Sequence, residues 1–538
     1  MRFDIPKERL VLPSGIVAST PDIIKALEDT EGLGVITTKS IGLFERDGYK
    51  EPIIAGVLGS LINAVGLPNP GIKEFINEIK EIYPIKKILM TSIFGSSKEE
   101  FQELTLKLEK YTDWIELNLS CPHVKNYGAA IGTSSSLVRE IVSSVRQCTD
   151  LPIFVKLAPS QGLIGRIAKI AINAGANGIT AVNSLGPLIF LDPITNKPIL
   201  SNIYGGLSGP AIKEIALMCI KEIRENINAP IIGMGGITSP CDLKEFKKAG
   251  ADLFGIGTAL LGMSTNMIKK FIKDLWMGMN GERPKISLEY KKFTVREAWG
   301  SEMRVLILDG SIEALPGQFV FIWVPGLGEK PFSLAFNNPI TLLVKKIGPV
   351  SSKIAEMKEG DVILLRGPYG NFYIPNEGAG LVGGGSGVAP IYFVAKMFRN
   401  RINIAYIGGK SSSDLPLYDY LKEVVEVKAS TEDGSLGFKG LVTDIIDARR
   451  SREYFNCGPE AMLVKAAELE SKFVGENRVF CAIERYTKCG VGICGSCSID
   501  GMRICVDGPI FPYSILKHGK DFGKFKRAPS GRRMRIEG

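Results

Sequence analysis

The chain has 538 residues, 45% of them hydrophobic, and its lysines and arginines exceed its carboxylates by nine. That length is too great for one core, so two to four domains are expected. The nearest approach to an 18-residue apolar span, 378–395, is uncharged but glycine-rich and suits a strand, turn and helix rather than a membrane crossing. The N-terminal residues lack an apolar signal-peptide core.

From residue 10 to about 265, eight short apolar runs alternate with helical patterns: 15–19, 34–39, 87–93, 114–119, 153–157, 178–183, 230–233 and 253–257. Helix-like segments such as 136–147, 164–174 and 211–226 follow most of them. This alternation predicts an α/β fold, a (β/α)8 TIM barrel over residues 1–280, with a doubly wound sheet as the alternative. A barrel puts its chemistry at the strand C-termini. Lys39, the run Asn118-Leu119-Ser120-Cys121-Pro122, Lys156 and Asn183-Ser184 stand there. The last two runs end in Gly233-Met234-Gly235-Gly236 and Gly255-Ile256-Gly257-Thr258. Glycine-rich turns at those two positions expose backbone N–H groups and read as a phosphate site.

The run 118–122, with Asn63-Ala64-Val65-Gly66-Leu67-Pro68-Asn69-Pro70-Gly71, Gly205-Gly206-Leu207-Ser208-Gly209-Pro210-Ala211 and Gly233-Met234-Gly235-Gly236-Ile237, resembles type 1 dihydroorotate dehydrogenases, in order and spacing, over residues 1 to about 280. The resemblance implies FMN across the barrel mouth. Its phosphate would lie at Gly209, Gly235, Gly236, Gly257 and Thr258, and its ring near Ser19, Lys39, Asn118 and Lys156. It implies a pyrimidine held by Lys39, Asn63, Gly66, Leu67, Asn118, Asn183 and Ser184. Amide side chains suit this role, since they both donate to ring carbonyls and accept from ring N–H groups. Oxidation of dihydroorotate removes a proton from carbon 5 and a hydride from carbon 6, and Cys121 is the expected base. A thiol pKa of about 8.5 needs only a modest shift to supply thiolate near neutrality. The family's Ser-Cys-Pro-Asn run carries His123 here in place of asparagine.

A linker is expected over 277–288. Strand-like runs at 303–308, 318–323, 341–346 and 362–366, separated by Pro/Gly turns, predict a small antiparallel β-barrel over 289–375. Residues 379–390 then form an apolar run with a glycine turn, leading into a helix at 392–399. Strand, glycine turn and helix is the nucleotide-phosphate arrangement, and with 403–407 and Asn456-Cys457-Gly458-Pro459 it predicts an α/β nucleotide-binding domain over 376–475.

Cys489, Cys494, Cys497 and Cys505 read C-x4-C-x2-C-x7-C in a loop of small residues, within an expected domain at 476–515. The first three have the plant-type [2Fe–2S] spacing, while a structural zinc site would favour paired C-x2-C halves. The chain's other cysteines are scattered, which suits a reducing cytoplasm rather than a disulfide framework. Residues 516–538 form a basic tail: the last 22 residues hold eight Lys/Arg against two Asp/Glu, and the tail reads as solvated and frayed. Charge is nearly balanced elsewhere, so no nucleic-acid partner is expected.

Together, Lys330-Pro331-Phe332-Ser333, Lys346-Ile347-Gly348, Gly367-Pro368-Tyr369-Gly370-Asn371-Phe372, the turn at 383–390 and the cysteine loop resemble the electron-transfer subunit of type 1B dihydroorotate dehydrogenase, a member of the ferredoxin-NADP reductase superfamily. The resemblance implies FAD at Lys330, Pro331, Phe332, Ser333, Lys346, Ile347, Ser351 and Ser352. It implies NAD near Gly383, Gly384, Gly385, Gly387 and Cys457-Gly458. Lys330 replaces the usual arginine and forgoes its bidentate phosphate fork, and Ser351-Ser352 replace Gly-Thr. No carboxylate follows Ile407 to grip a ribose hydroxyl. The expectation is a fused type 1B-like enzyme passing electrons from dihydroorotate to FMN, [2Fe–2S], FAD and then NAD, with no membrane span, in the cytoplasm, as a homodimer through the barrel. Quinone or ferredoxin acceptors, or a dihydropyrimidine dehydrogenase activity, are the alternatives.

Overall fold

Eight parallel strands close into the first barrel of the computed structural model, which describes residues 4–57, 59–120 and 132–536. The strands are β1 (Leu10–Leu12), β2 (Leu33–Thr37), β3 (Ile88–Ile93), β4 (Trp114–Asn118), β5 (Ile153–Leu157), β6 (Gly178–Ala181), β7 (Ile231–Met234) and β8 (Leu253–Gly255), each paired with its sequence neighbours and β8 with β1. The (β/α)8 reading therefore holds and the doubly wound alternative falls. The first strand is a correction. It is Leu10–Leu12, all buried, and not 15–19, where Gly15 and Val17 have φ of +78° and +63° and cannot lie in an extended strand.

Side-chain alternation explains how these strands make both a floor and a site. In β4, Trp114, Glu116 and Asn118 share the inward face, and in β5 so do Phe154 and Lys156. Trp114 and Phe154 stack at 4.9 Å and join Val11, Val35, Met90, Ile232 and Leu253 in the barrel interior. Asn118 and Lys156, two or four residues further on, reach the mouth. Outward residues such as Ile115, Leu117, Val155 and Leu157 pack against the helix ring. Each such buried aliphatic side chain contributes roughly 1.5–3 kcal/mol. A four-stranded sheet of Ile54–Val57, Ser60–Asn63, Leu185–Ile189 and Tyr204–Ser208, unforeseen from sequence, adds to this body.

The chain forms two compact units. The first comprises residues through Ile286 together with Val491–Gly501 and Arg527–Arg533. The expectation of a frayed tail is thus corrected for 527–533: Arg527, Ala528 and Ser530 are buried. Their buried contacts and ion pairs outweigh the loss of chain entropy that a basic composition alone would not overcome.

The second unit opens with an antiparallel closed barrel of six strands: β9 (Lys291–Trp299), β10 (Met303–Leu308), β11 (Phe319–Val324), β12 (Gly328–Asn337), β13 (Ile340–Lys345) and β14 (Val362–Tyr369). It continues in a seven-stranded sheet. β15 (Ala379–Gly384), β16 (Ile402–Gly409), β17 (Val427–Thr431), β18 (Phe438–Lys439), β19 (Glu453–Cys457) and β20 (Val479–Ala482) are parallel, and β21 (Ile510–Pro512) pairs antiparallel with β20. Both architectures match the expected classes.

Glu470, on the helix Glu460–Val474, is fully buried and receives one hydrogen bond, from Asn456 Nδ2 at 2.7 Å. Burial holds its carboxyl well above the usual carboxylate range, against the opposing pull of Asn456. An unfolded glutamate ionises near pH ~4.3, while the native one holds its proton to higher pH. The stability it contributes is therefore full below that pH and falls by about 1.4 kcal/mol per pH unit as pH rises toward the native value. Glu470→Gln is expected to melt above the parent at pH 8, with the gain vanishing near pH 4. An equal difference at both pH values in thermal melts would contradict this.

Candidate active site

At the C-terminal mouth of the first barrel lies a cavity of about 200 Å³. Ser19, Lys39, Asn118 and Lys156 line it, as do Asn63, Gly66, Leu67, Asn183 and Ser184. Gly209, Gly235, Gly236, Gly257 and Thr258 complete the wall. The described residues expected at this site from sequence thus come together around one space.

The amides are held by a chain of hydroxyls that the sequence reading missed. Ser40 Oγ lies 3.1 Å from Ser14 Oγ and 2.9 Å from Ser92 Oγ, and accepts from Asn118 Nδ2 at 2.9 Å. Ser120 Oγ donates to Asn118 Oδ1 at 2.9 Å and accepts from Asn183 Nδ2 at 2.8 Å. The Ser184 N–H donates to Asn183 Oδ1 at 2.9 Å. Asn63 Nδ2 donates to the Gly206 carbonyl at 3.1 Å and to Ser208 Oγ at 3.2 Å. Each amide is therefore fixed in orientation before any ligand arrives, which lowers the ordering cost of binding. Lys39 and Lys156 are 9% and 4% exposed, so two cationic side chains stand in a nearly dry wall.

The glycine turns have the geometry of an anion cradle. A Cβ on Gly236, whose φ is +100°, would lie 3.0 Å from the Gly209 carbonyl oxygen and 3.0 Å from Lys213 Cβ. One on Gly209 would lie 3.3 Å from Thr258 Oγ1. The turn after β7, Gly209 and the start of the helix Lys213–Asn226 therefore converge with no room for a side chain at Gly236, leaving backbone N–H groups and a helix N-terminus for a phosphate. These residues fit the phosphate of a flavin mononucleotide. Cys121 and His123 lie outside the described residues.

The loop that carries the cysteines also reaches this unit. Ile493 and Cys494 line the same cavity. The Val17 N–H donates to the Ile493 carbonyl at 3.0 Å and the Gly262 N–H to that of Val491 at 2.9 Å. Gly495 lies so close to Ser19 that any side chain there would overlap Ser19 Oγ. Cys494 and Cys497 belong to this unit, Cys489 and Cys505 to the second, and all four are buried. In sequence the four thiols stand in a glycine-rich loop whose first three cysteines have the plant-type iron–sulfur spacing.

In the second unit, Lys330, Pro331, Phe332 and Ser333 lie in β12, paired with β11, and Lys330 Nζ stands 5.0 Å from the ring centre of Tyr486. Lys346 and Ile347 follow β13, and Ser351 Oγ accepts from the Ile347 and Gly348 N–H groups, each at 3.0 Å. Ser352 lies in the same short helix, Pro349–Ala355. Gly383 and Gly384 end β15, and Gly385–Gly387 form the turn into the helix Val388–Met397. A Cβ on Gly387 would strike the Cys457 carbonyl, so the glycine turn and Cys457-Gly458 meet as expected.

Sequence reasoning missed Glu329 and Arg366. Both are fully buried and paired at 2.6 Å. Arg366 also donates to Tyr369 Oη at 3.1 Å and to the Cys489 carbonyl at 3.2 Å, and stacks 4.0 Å from the Phe321 ring centre. Burial opposes the cation, but the Glu329 carboxylate more than offsets it and holds the Arg366 pKa well above its usual range. This pair ties the first cysteine of the cluster loop to the six-stranded barrel. A single charged residue in the apolar stretch Val-Ile-Leu-Leu-Arg was the one signal available.

A dry, cationic, amide-lined mouth with a backbone anion cradle suits a phosphorylated planar cofactor beside a small polar ring, the class of flavin-dependent oxidoreductases built on (β/α)8 barrels. Known proteins agree. The dihydroorotate dehydrogenase family profile matches residues 7–279, and that of the iron–sulfur cluster binding domain of dihydroorotate dehydrogenase B matches 484–517. The chain is 40% identical over 273 residues to the "Dihydroorotate dehydrogenase B (NAD(+)), catalytic subunit" of Methanocaldococcus jannaschii, covering 50% of this chain and 89% of the relative. It is 45% identical to the Pyrococcus furiosus catalytic subunit of the same name, over 47% of this chain and 83% of that one. It is 42% identical to the "Probable dihydroorotate dehydrogenase B (NAD(+)), electron transfer subunit" of Pyrococcus abyssi, over 45% of this chain and 97% of that one.

The chain belongs to the dihydroorotate dehydrogenase family, and it joins the catalytic domain of the B type to that type's iron–sulfur domain. It is an oxidoreductase of dihydroorotate oxidation in pyrimidine biosynthesis.

Gly236→Ala forces a side chain into the cradle at a φ that costs roughly 1–3 kcal/mol. FMN affinity of the flavin-stripped protein, titrated by quenching of flavin fluorescence, should fall by about tenfold or more. Parent-like affinity would remove Gly236 from the phosphate site.

Proposed function

We propose that the chain oxidises dihydroorotate to orotate at the first-barrel mouth and delivers the electrons through its C-terminal half to NAD. FMN would accept the hydride, a [2Fe–2S] cluster held by Cys489, Cys494, Cys497 and Cys505 would carry single electrons, and FAD held by Lys330–Ser333, Lys346, Ile347, Ser351 and Ser352 would return them as a pair to NAD at the Gly383–Gly387 turn. The observation that carries this reading is that Ile493 and Cys494 line the same cavity as Lys39, Asn118 and Lys156.

The chain's own residues have distinct tasks. Asn63, Asn118 and Asn183, oriented by Ser208, Ser40 and Ser120, hold the ring amides. Lys39 balances the carboxylate, and Gly66 and Leu67 close over the substrate, with the Gly66 carbonyl fixed by Arg46 Nε at 2.7 Å. Cys121 as thiolate takes the proton from carbon 5 as the hydride leaves carbon 6, so the C5=C6 bond forms from the C5–H pair and Cys121 ends protonated. General-base catalysis of this kind is worth about 10²–10⁴-fold. The burial of Lys39, Lys156 and Asn118 excludes water from the reacting face.

Cys497→Ser removes one cluster ligand. In anaerobic stopped-flow, dihydroorotate should bleach the barrel flavin in both parent and variant, and NAD reduction should be lost in the variant alone. NAD reduction at the parent rate in Cys497→Ser would sink the electron path. A parent that bleaches with dihydroorotate and reduces no NAD would move the acceptor to a quinone or ferredoxin. Bleaching by dihydrouracil in place of dihydroorotate would move the substrate.

A further inference from the structure

The C-terminal segment Arg527–Arg533 belongs to the first unit and lies beyond the matched iron–sulfur domain, which ends at residue 517. Its residues form a tight turn. The Gly531 N–H donates to the Ala528 carbonyl and the Ala528 N–H to the Arg532 carbonyl, both at 2.9 Å. Three carboxylates of the barrel hold this turn. Arg527, 5% exposed, donates to Glu78 at 2.9 Å, to its own turn at the Gly531 carbonyl at 2.9 Å, and reaches Asp22 at 3.5 Å. Ser530 Oγ donates to Glu45 at 2.7 Å, and Arg532 Nε to the same carboxylate at 2.8 Å.

What the turn presents to Lys39, a residue of the cavity wall, is a main-chain carbonyl. Lys39 Nζ donates to the Ser530 carbonyl oxygen at 3.3 Å. Gly531 has φ +94°, and a Cβ there would stand 2.8 Å from Lys39 Nζ. Lysine is a flexible four-carbon stem with a rotatable ammonium. A fixed acceptor beside a Cβ-free position selects the rotamer that keeps this cation in the cavity wall, as supporting hydrogen bonds do for reacting groups elsewhere.

We propose that the turn 528–531 positions Lys39, with the Ser530 carbonyl as the holding group and Arg527 as the clamp that sets the turn. This rests on the reading that the cavity takes an anionic pyrimidine, for which the cation must stand in one place. The C-terminal residues thus act in substrate binding at the barrel, at a distance of 491 residues along the chain from Lys39.

Two full-length variants test this in the holoenzyme. Gly531→Ala crowds the ammonium, and Arg527→Met releases the turn. Orotate, titrated by its perturbation of the flavin absorbance, should bind each about tenfold more weakly than it binds the parent. Either change combined with Lys39→Met should be no worse than Lys39→Met alone, because both act on one contact. Reductive methylation of Lys39, read by mass spectrometry, should run several-fold faster in both variants. If the losses multiply with that of Lys39→Met, or if Lys39 is methylated at the parent rate in both variants, the turn is merely structural and the proposal falls. If orotate leaves the parent's flavin spectrum unchanged, the pyrimidine reading fails instead. The methylation rate then decides the turn alone, faster supporting it and unchanged overturning it.

Discussion

The hydrogen bond from the Val17 N–H to the Ile493 carbonyl, at 3.0 Å, is the contact on which the functional account depends. It brings a segment from the far end of the chain to the barrel mouth, so that Cys494 shares a cavity with the residues expected around a flavin. Val17 adopts φ +63°, a conformation that a β-branched residue rarely takes and that costs on the order of 1–3 kcal/mol. The surroundings over-determine it: its N–H is held by Ile493 and its carbonyl accepts from Ser19 Oγ at 3.0 Å. Gly495, with no room for a side chain against Ser19, closes the same contact from the other side.

The first unit is therefore assembled from three separate stretches of sequence, and each brings something the others lack. The barrel supplies the amides, the lysines and the anion cradle. Val491–Gly501 supplies two of the four cysteines and an apolar wall at Ile493. Arg527–Arg533 supplies the carbonyl beside Lys39. In the second unit, the Arg366–Glu329 pair does comparable work by gripping the Cys489 carbonyl. Breaking such a buried pair leaves an uncompensated charge and costs several kcal/mol, typically ~3–5.

Local pattern was readable and long-range partnership was not. Asn118 and Lys156 were legible because each ends or lies in an apolar run whose period of two sends them to the inner face beside Trp114 and Phe154. The first strand was misread because 15–19 has the composition of a strand, whereas the three residues Leu10–Leu12 before Pro13 are too short to carry a period. Two strands of the second barrel, Lys291–Trp299 and Gly328–Asn337, escaped notice because they carry charges within them. Ser40 could not be found, since its partner Asn118 lies 78 residues away, and the bond from Asn183 to Ser120 spans 63 residues. The tail looked solvated because its eight cations were visible, while Glu45, Glu78 and Asp22, which receive three of the arginine contacts, are scattered near the other end of the chain.

The central claim is that electrons from the pyrimidine leave the barrel mouth by way of the cysteine loop. The most direct measurement is anaerobic freeze-quench electron paramagnetic resonance with dihydroorotate as the sole reductant, alongside flavin absorbance. The account predicts that the paramagnetic signal of a reduced [2Fe–2S] cluster appears as the flavin bleaches. A flavin that bleaches fully while the cluster stays silent would contradict it.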